Sequence, residues 1–534
     1  MNRRSRSGCI ECRRSKIKCD ERKPYCGTCA RRGRKCCGYP VKHGPKPLKW
    51  TANNDCSDGP PRKRRRSSQI SLDDEAEVSY GIDSYTHYAL ASSPVQDPSA
   101  HRNLAATHHG SPTGDKPNWE LPCKSQLLPS LLRELSTFAS SEITPEIANS
   151  IAMYFARHPT ELVIGSEPAF ITEMNAHVLQ VLHSNVEAVG IGLCAIGSVY
   201  LQNQGSRSGL ELALGSRIKT LATIRSYGSR GFSGLTIEQA MSMILALVSM
   251  ELIDQRYKPD ESPFKILHSV ASAMIHHHIS KSLTFSSTAK YLIRALARED
   301  MIMALVQRRS VFIPTSVWLD EDCTAAADRF MGFTMTLMPL LEELAELAAT
   351  MNSRSSVDVT VEPTPHTTAQ ASCSYTNIND RFSSLECLLL AWKPPLVPDF
   401  SGASSRKFIL QAAMYRSAAQ LYLHRLKHPP GCSAVHDMEA LAFAYDIFAH
   451  LSGEPRDNRL ALFPVFIAAC EFSRIDDRAI AVEAFNSIYE SRNTQSTWVT
   501  RIFVRDRVWG ARDNGWGWNW MELVKIWPGE CIPI

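Results

Sequence analysis

From Leu127 to the end of the chain, apolar residues recur at the three- and four-residue spacing of helices. Ile147, Ile151, Tyr154 and Phe155 form one stripe, Leu210, Leu214, Ile218 and Leu221 a second, and Met241, Leu245, Val248 and Leu252 a third. Residues 291–308 and 326–350 continue the theme. A polar stretch from Asn352 to Asp380 reads as a long loop. Beyond it lies a second helical group: Leu410 to Leu426, Met438 to Leu451, Leu462 to Phe472, Arg478 to Tyr489 and Thr497 to Trp509. Strand-like alternation between turn residues is scarce, so the pattern predicts an all-α domain over 127–534. No apolar run reaches the ~18 residues of a membrane-crossing helix. The best stretch, Met241 to Ile253, is short and carries Glu251.

The first part of the chain has another texture. Residues 67–120 lack apolar periodicity and are rich in Ser, Pro, His and Asp, the composition of a disordered linker. Within it, Leu72 to Tyr80 mixes acidic and apolar residues as activation segments do, although a plain linker accounts for it as well. Gly38 to Trp50, with Pro40, Gly44, Pro45 and Pro47, reads as an extended spacer. Between these lie five consecutive basic residues, Arg62, Lys63, Arg64, Arg65 and Arg66. Such a run suits recognition by a nuclear import receptor, or a phosphate-binding tail. Phosphorylation of the adjoining Ser67 and Ser68 would counter that charge.

Charge sharpens the division. Residues 1–66 hold 21 Lys and Arg against 5 Asp and Glu, whereas the remainder holds 38 against 49. A basic head on an acidic body points to a polyanion-binding module joined to a domain with a different task. Apolar residues make up 44% of the chain, enough for a large core beyond the head.

The head is organised by cysteine. Cys9, Cys12 and Cys19 follow the pattern C-x2-C-x6-C, and Cys26, Cys29 and Cys36 repeat it 17 positions later. Too few apolar residues lie between them to form a core, so the segment needs disulfides or metal. Met1 to Arg6 contains no apolar segment to serve as a secretory signal, which favours a reducing compartment and metal thiolates. Zinc takes four thiolates tetrahedrally. Two zinc ions need eight ligand positions, which six cysteines supply if two sulfurs are shared. The equivalent first members of each repeat, Cys9 and Cys26, are the expected bridges. The nine cysteines outside residues 9–37 show no pairing pattern and read as free thiols.

Gly8 to Tyr39 closely resembles the fungal zinc binuclear cluster (Zn2Cys6) DNA-binding domain. The resemblance rests on the six cysteines, the basic run Cys12-Arg13-Arg14-Ser15-Lys16-Ile17-Lys18-Cys19-Asp20, and Pro24 in the loop between the halves. It implies two bridged Zn2+ ions, a short helix after each C-x2-C, and recognition of CGG-type triplets in the major groove of double-stranded DNA. By position, Lys16 matches the family's base-contacting lysine, and Arg13 and Lys18 match phosphate contacts. Arg31 is a further expected phosphate contact. Cys37 directly follows Cys36. The repeat spacing selects Cys36 as sixth ligand, while the family also tolerates one more residue there. Ala418 to Leu426, Phe463 to Glu471 and Arg507-Val508-Trp509 more loosely resemble the fungal-specific transcription factor regulatory domain. That resemblance implies an all-helical fold over roughly 127–534 with regulatory or co-regulator-binding roles.

Other constellations have plainer readings. Gly190-Ile191-Gly192-Leu193-Cys194-Ala195 fits a dinucleotide fingerprint, but Val178 to His183 before it looks helical rather than strand-like, so close helix packing is the expectation. His276-His277-His278 would point about 100° apart on a helix, which suits a half-exposed face better than a metal site. Trp509, Trp516, Trp518 and Trp520 suit packing of a terminal segment. No H-E-x-x-H, G-x-S-x-G or Walker-type loop occurs, and the chain is not expected to be an enzyme.

The expected organisation is therefore a small zinc cluster domain at 1–41, a disordered linker at 42–126 with the import segment at 61–66, and a large all-α regulatory domain at 127–534. The expected function is zinc-dependent, sequence-specific regulation of RNA polymerase II transcription in the nucleus, with no membrane association. Residues 38–70 show no heptads, so zipper dimerisation is not expected. Single-site binding and pairing through the helical domain both remain open. The rival assignments are a helical metabolite-binding or enzymatic domain using the cluster as an accessory DNA tether, and a scaffold factor without specific targets.

Overall fold

The computed structural model describes residues 12, 17, 19, 26–32, 144–256, 263–357, 367–395 and 400–534, with 27, 30, 354–357 and 367–377 described as backbone alone. The chain divides into two units, Met1–Ser111 and Pro112–Ile534. In the first, the described residues comprise one short helix, α1 (Gly27–Arg31), and a cluster of buried cysteines.

The second unit is helical. Its elements are α2 (Pro145–Leu162), α3 (Pro168–Ser184), α4 (Val186–Asn203), α5 (Arg207–Ser229), α6 (Ile237–Ile253), α7 (Phe264–Ser280), α8 (Ser287–Gln307) and α9 (Glu321–Ala325). They continue with α10 (Met338–Val357), α11 (Thr367–Ala391), α12 (Gly402–Lys427), α13 (Ala434–Ala449), α14 (Leu462–Glu471), α15 (Ile475–Ser491) and α16 (Gln495–Phe503). A π-helical turn at Val504–Trp509 leads into α17 (Gly510–Asp513), and α18 (Trp520–Ile526) closes the chain. Among the described residues the β pairing is an isolated bridge, Asp328 to Gly332.

Local chemistry starts these helices. Thr236 and Gln239 form a reciprocal capping box on α6, while Ser206 and Ser286 cap α5 and α8 by accepting from the third backbone N–H. Pro145 and Pro168 sit in first turns, where a missing N–H costs nothing. Packing then decides their places. Every residue of α14 is buried, as are nearly all of α6, so both are central helices, mostly apolar and enclosed on all sides. Close approach comes from small residues. A Cβ on Gly197 of α4 would lie 1.7 Å from the Ser150 carbonyl oxygen of α2, and one on Gly192 would lie 3.3 Å from Ala246 Cβ of α6. The Gly-rich stretch of α4 is thus a packing surface, and Val178 to His183 before it lies within α3.

Three expectations need correction. The polar gap is mostly helix: α10 runs to Val357 and α11 begins at Thr367. Ile378, Phe382, Leu385 and Leu389 form a buried stripe that anchors α11, and its polar first half extends from that anchor. Residues 326–337 are turns and a single 3-10 turn, with helix resuming at Met338. Asp328 organises them by accepting from the Phe330 and Met331 N–H groups. The stripe Leu210, Leu214, Ile218 and Leu221 locates α5 but faces outward, with Leu214 at 47%, Ile218 at 66% and Leu221 at 41% exposure. Gly209, Ala213, Ser216 and Thr220 face the core instead, because α5 lies close on α4 and only small side chains fit there.

Buried polar groups cross-link the core. Arg425 of α12 donates from Nε to Glu471 Oε1 of α14 at 3.0 Å, pairs again through Nη2 with Oε2, and reaches Asp437 Oδ1 at 2.7 Å. Burial pushes the Glu471 carboxyl up, and Arg425 opposes that shift. Asp300, fully buried, accepts from the Phe312 and Ile313 N–H groups at 2.6 and 3.0 Å and fixes the exit from α8. His158 shares a 3.0 Å hydrogen bond with the Tyr200 hydroxyl, and burial pushes its imidazole down to about 3.

The folded state therefore holds His158 neutral at pH values where an unfolded imidazole, titrating near ~6.5, takes a proton. The stability this protects is complete above about pH 6.5 and declines as pH falls from there toward 3. Thermal melts across this range should show that decline, and His158→Gln should flatten it. Glu471→Ala leaves Arg425 without its buried carboxylate and should destabilise the helical unit by ~3–5 kcal/mol in urea titrations.

Candidate metal centre and nucleic-acid interface

Four cysteines of the amino-terminal unit, Cys12, Cys19, Cys26 and Cys29, are buried together, with Ile17 packed against them. Cys12 Sγ lies 3.6 Å from Cys26 Sγ and 3.8 Å from Cys29 Sγ. A disulfide would need about 2.05 Å. Zinc–sulfur bonds of ~2.3 Å in a tetrahedron set the sulfurs ~3.8 Å apart. The thiolates thus stand at the edge length of a zinc site, and Cys12, Cys26 and Cys29 each aim one donor into a common space.

The backbone shapes the pocket. The Cys29 N–H donates to Cys26 Sγ at 3.2 Å, a bond that C-x2-C geometry allows and that stabilises a thiolate. Ile17 N–H donates to the Cys12 carbonyl at 3.0 Å and ties the two residues together. Helix α1 starts directly after Cys26, so its first turn carries Cys29 and its last turn presents Arg31, exposed, with Arg32 beyond it. Of the expected ligands, the structure brings together Cys12, Cys19, Cys26 and Cys29. Cys9, Cys36, Arg13, Lys16, Lys18, the linker and Arg62, Lys63, Arg64, Arg65 and Arg66 lie outside the described residues.

Comparison with known proteins fits this geometry. Residues 7–46 match the fungal Zn(2)-Cys(6) binuclear cluster domain. Residues 153–528 match the fungal specific transcription factor domain. The chain belongs to the fungal Zn2Cys6 transcription factor family. The matches pair a zinc-cluster domain with a transcription factor domain, and the described residues of the large domain are helical without strands.

Curated relatives match over short stretches. White-opaque regulator 2 of Candida albicans is 42% identical over 74 residues, 14% of each chain. Transcriptional regulatory protein moc3 of Schizosaccharomyces pombe is 55% identical over 38 residues, 7% of this chain and 8% of that one. The aspercryptin biosynthesis cluster-specific transcription regulator atnN of Emericella nidulans is 52% identical over 44 residues, 8% of this chain and 7% of that one. The chain thus spans about a seventh or less of these relatives' lengths. No solved structure matches.

The remaining constellations resolve as packing. His276 turns back to the Ser272 carbonyl, His277 meets Phe232, and His278 stacks on Phe285, so the three rings diverge. Trp509 and Trp520 are buried, and Trp509 donates to the Ala469 carbonyl at 2.8 Å. Trp516 is exposed, and Trp518 lies under Arg512. Cys194, Cys323, Cys387, Cys432, Cys470 and Cys531 are free, as expected.

No sequence motif pointed to two polar groups in the helical unit. One lines a cavity of about 40 Å³ between α2, α3, α4, α6 and α8. There the Tyr291 hydroxyl, Glu299 Oε2, and Arg329 Nε and Nη1 are buried without hydrogen-bond partners. A water needs ~10–15 Å³ and drug-sized ligands need ~300 Å³ or more, so the space suits a few bridging waters. The other group comprises His424, His436 and Glu439.

Cys12→Ser removes one corner of the thiolate triangle. Its zinc content, measured by elemental analysis of the purified full chain, should fall, and DNA binding should be lost.

Proposed function

We propose that this protein is a nuclear regulator of RNA polymerase II genes that reads CGG-type triplets through two zinc ions and a single basic segment. The observation that carries this reading is the buried Cys12, Cys26 and Cys29 triangle at zinc-site spacing, with Arg31 presented from the adjoining helix. The proposed ligands are Cys9, Cys12, Cys19, Cys26, Cys29 and Cys36. Cys9 and Cys26 bridge the ions. The cluster occupies 1–41, the linker 42–126 and the regulatory domain 127–534.

Rigidity is the mechanism. The zinc core fixes the Arg13 to Lys18 segment before DNA arrives, so little side-chain order is lost on docking. Lys16 donates to guanine O6 and N7 in the major groove. Arg13, Lys18 and Arg31 neutralise phosphates and set register. Arg62, Lys63, Arg64, Arg65 and Arg66 engage the import receptor. The helical domain offers its surface to co-regulators. The three relatives are named as regulators, which supports the transcriptional reading.

The test is a binding titration of the full chain on duplexes with and without a CGG triplet, at several salt concentrations, with zinc and with chelator. Lys16→Ala should cost ~1–3 kcal/mol of discrimination while nonspecific binding holds. Lys18→Ala should weaken both duplexes alike and lower the salt slope by ~0.9. Equal loss on both duplexes in Lys16→Ala would remove the base-reading role.

A further inference from the structure

We propose that His424, His436 and Glu439 form a second, thiolate-free metal site that straps the end of α12 to the start of α13 and takes Zn2+ or a similar divalent transition ion.

The three donors come from two helices joined by a tight hairpin. His424 sits in the last turn of α12, and His436 and Glu439 stand three residues apart in the first turns of α13, on one face. Between them run Pro429, Pro430 and Gly431, the last at φ +80°, a conformation that holds the connection short. One donor atom from each residue lies within 4.8 Å of the others. Glu439 Oε2 is 2.8 Å from His436 Nδ1 and 3.9 Å from His424 Nε2. Bonds of ~2.0–2.2 Å to a tetrahedral ion require donors ~3.3 Å apart. The two separations bracket that value, and the half-exposed Glu439 side chain can rotate to meet it.

Donor chemistry agrees. Neutral imidazole and ionised carboxylate are the ligating forms. His424 Nε2 faces the His436 carbonyl at 3.0 Å, and His436 Nδ1 faces Glu439. Both contacts place the proton on the facing nitrogen, so loading breaks these hydrogen bonds and shifts each neutral ring to the tautomer protonated at its other nitrogen, which leaves the facing nitrogen free to bind the ion. His428 stacks on His436 at 3.6 Å between ring centroids and fixes its plane, as outer partners of metal ligands do. Three protein ligands leave a fourth position for water.

Location gives the site reach. His424 adjoins Arg425 and His436 adjoins Asp437, which are joined by a 2.7 Å ion pair that continues to Glu471 of α14. An ion held by the outer pair of residues tightens the inner pair.

The full chain serves for the test, because the two classes of site differ in colour. Co2+ on the cysteine cluster gives near-ultraviolet thiolate charge transfer, whereas Co2+ on imidazole and carboxylate gives only visible d–d bands. Full-length His436→Gln and Glu439→Gln proteins should bind about one equivalent less Zn2+ than the parent, with thiolate charge transfer unchanged. Added Zn2+ should raise the melting temperature of the helical unit in the parent and not in either variant. Glu439 is exposed, so its variant reads the site even if His436→Gln misfolds. Equal zinc content in the parent and Glu439→Gln, or cobalt absorption accounted for wholly by thiolate bands, would overturn the proposal.

Discussion

Sulfurs held 3.6 and 3.8 Å apart replace a hydrophobic core in the amino-terminal unit. A segment of some forty residues with so many Lys and Arg cannot bury enough apolar surface to fold by itself. It also repels itself, since 21 basic residues face 5 acidic ones across residues 1–66. Metal–thiolate bonding supplies the missing free energy and partly offsets the charge. The segment can therefore stay strongly basic without surrendering shape.

The helical unit solves the opposite problem. It has apolar residues in abundance, and close helix contacts specify their arrangement. Glycines and small residues on α4 let α2, α5 and α6 approach, while Arg425, Asp300 and Asp328 tie loops and helix ends to the interior. Each of these buried charges is matched by ion pairs or backbone N–H groups, as low-dielectric surroundings demand.

Much of this was legible in the sequence. The repeat from Cys9 to Cys36 announced the metal centre, because spacing in a thiolate cluster is itself the chemistry. Helices such as α6 and α12 were legible from periodicity. The missing half of α11 was not, because its polar residues are held by an apolar stripe several turns away. The outward face of α5 was not either. Periodicity gives a helix its spacing, while neighbours decide which side they cover, and α4 required small side chains rather than leucines. The His424, His436 and Glu439 group needed the hairpin between α12 and α13, a tertiary fact that no single-helix motif carries.

The contact of Gly197 with Ser150 sets how this interior can evolve. With the backbone of α2 occupying the space of a methyl group, no side chain enters at 197 unless two helices part. The position works as a spacer of zero thickness. Volume added elsewhere on α2 or α4 must go outward, toward solvent or neighbouring helices, so drift in this domain is steered to its periphery while the spacing of that pair stays locked.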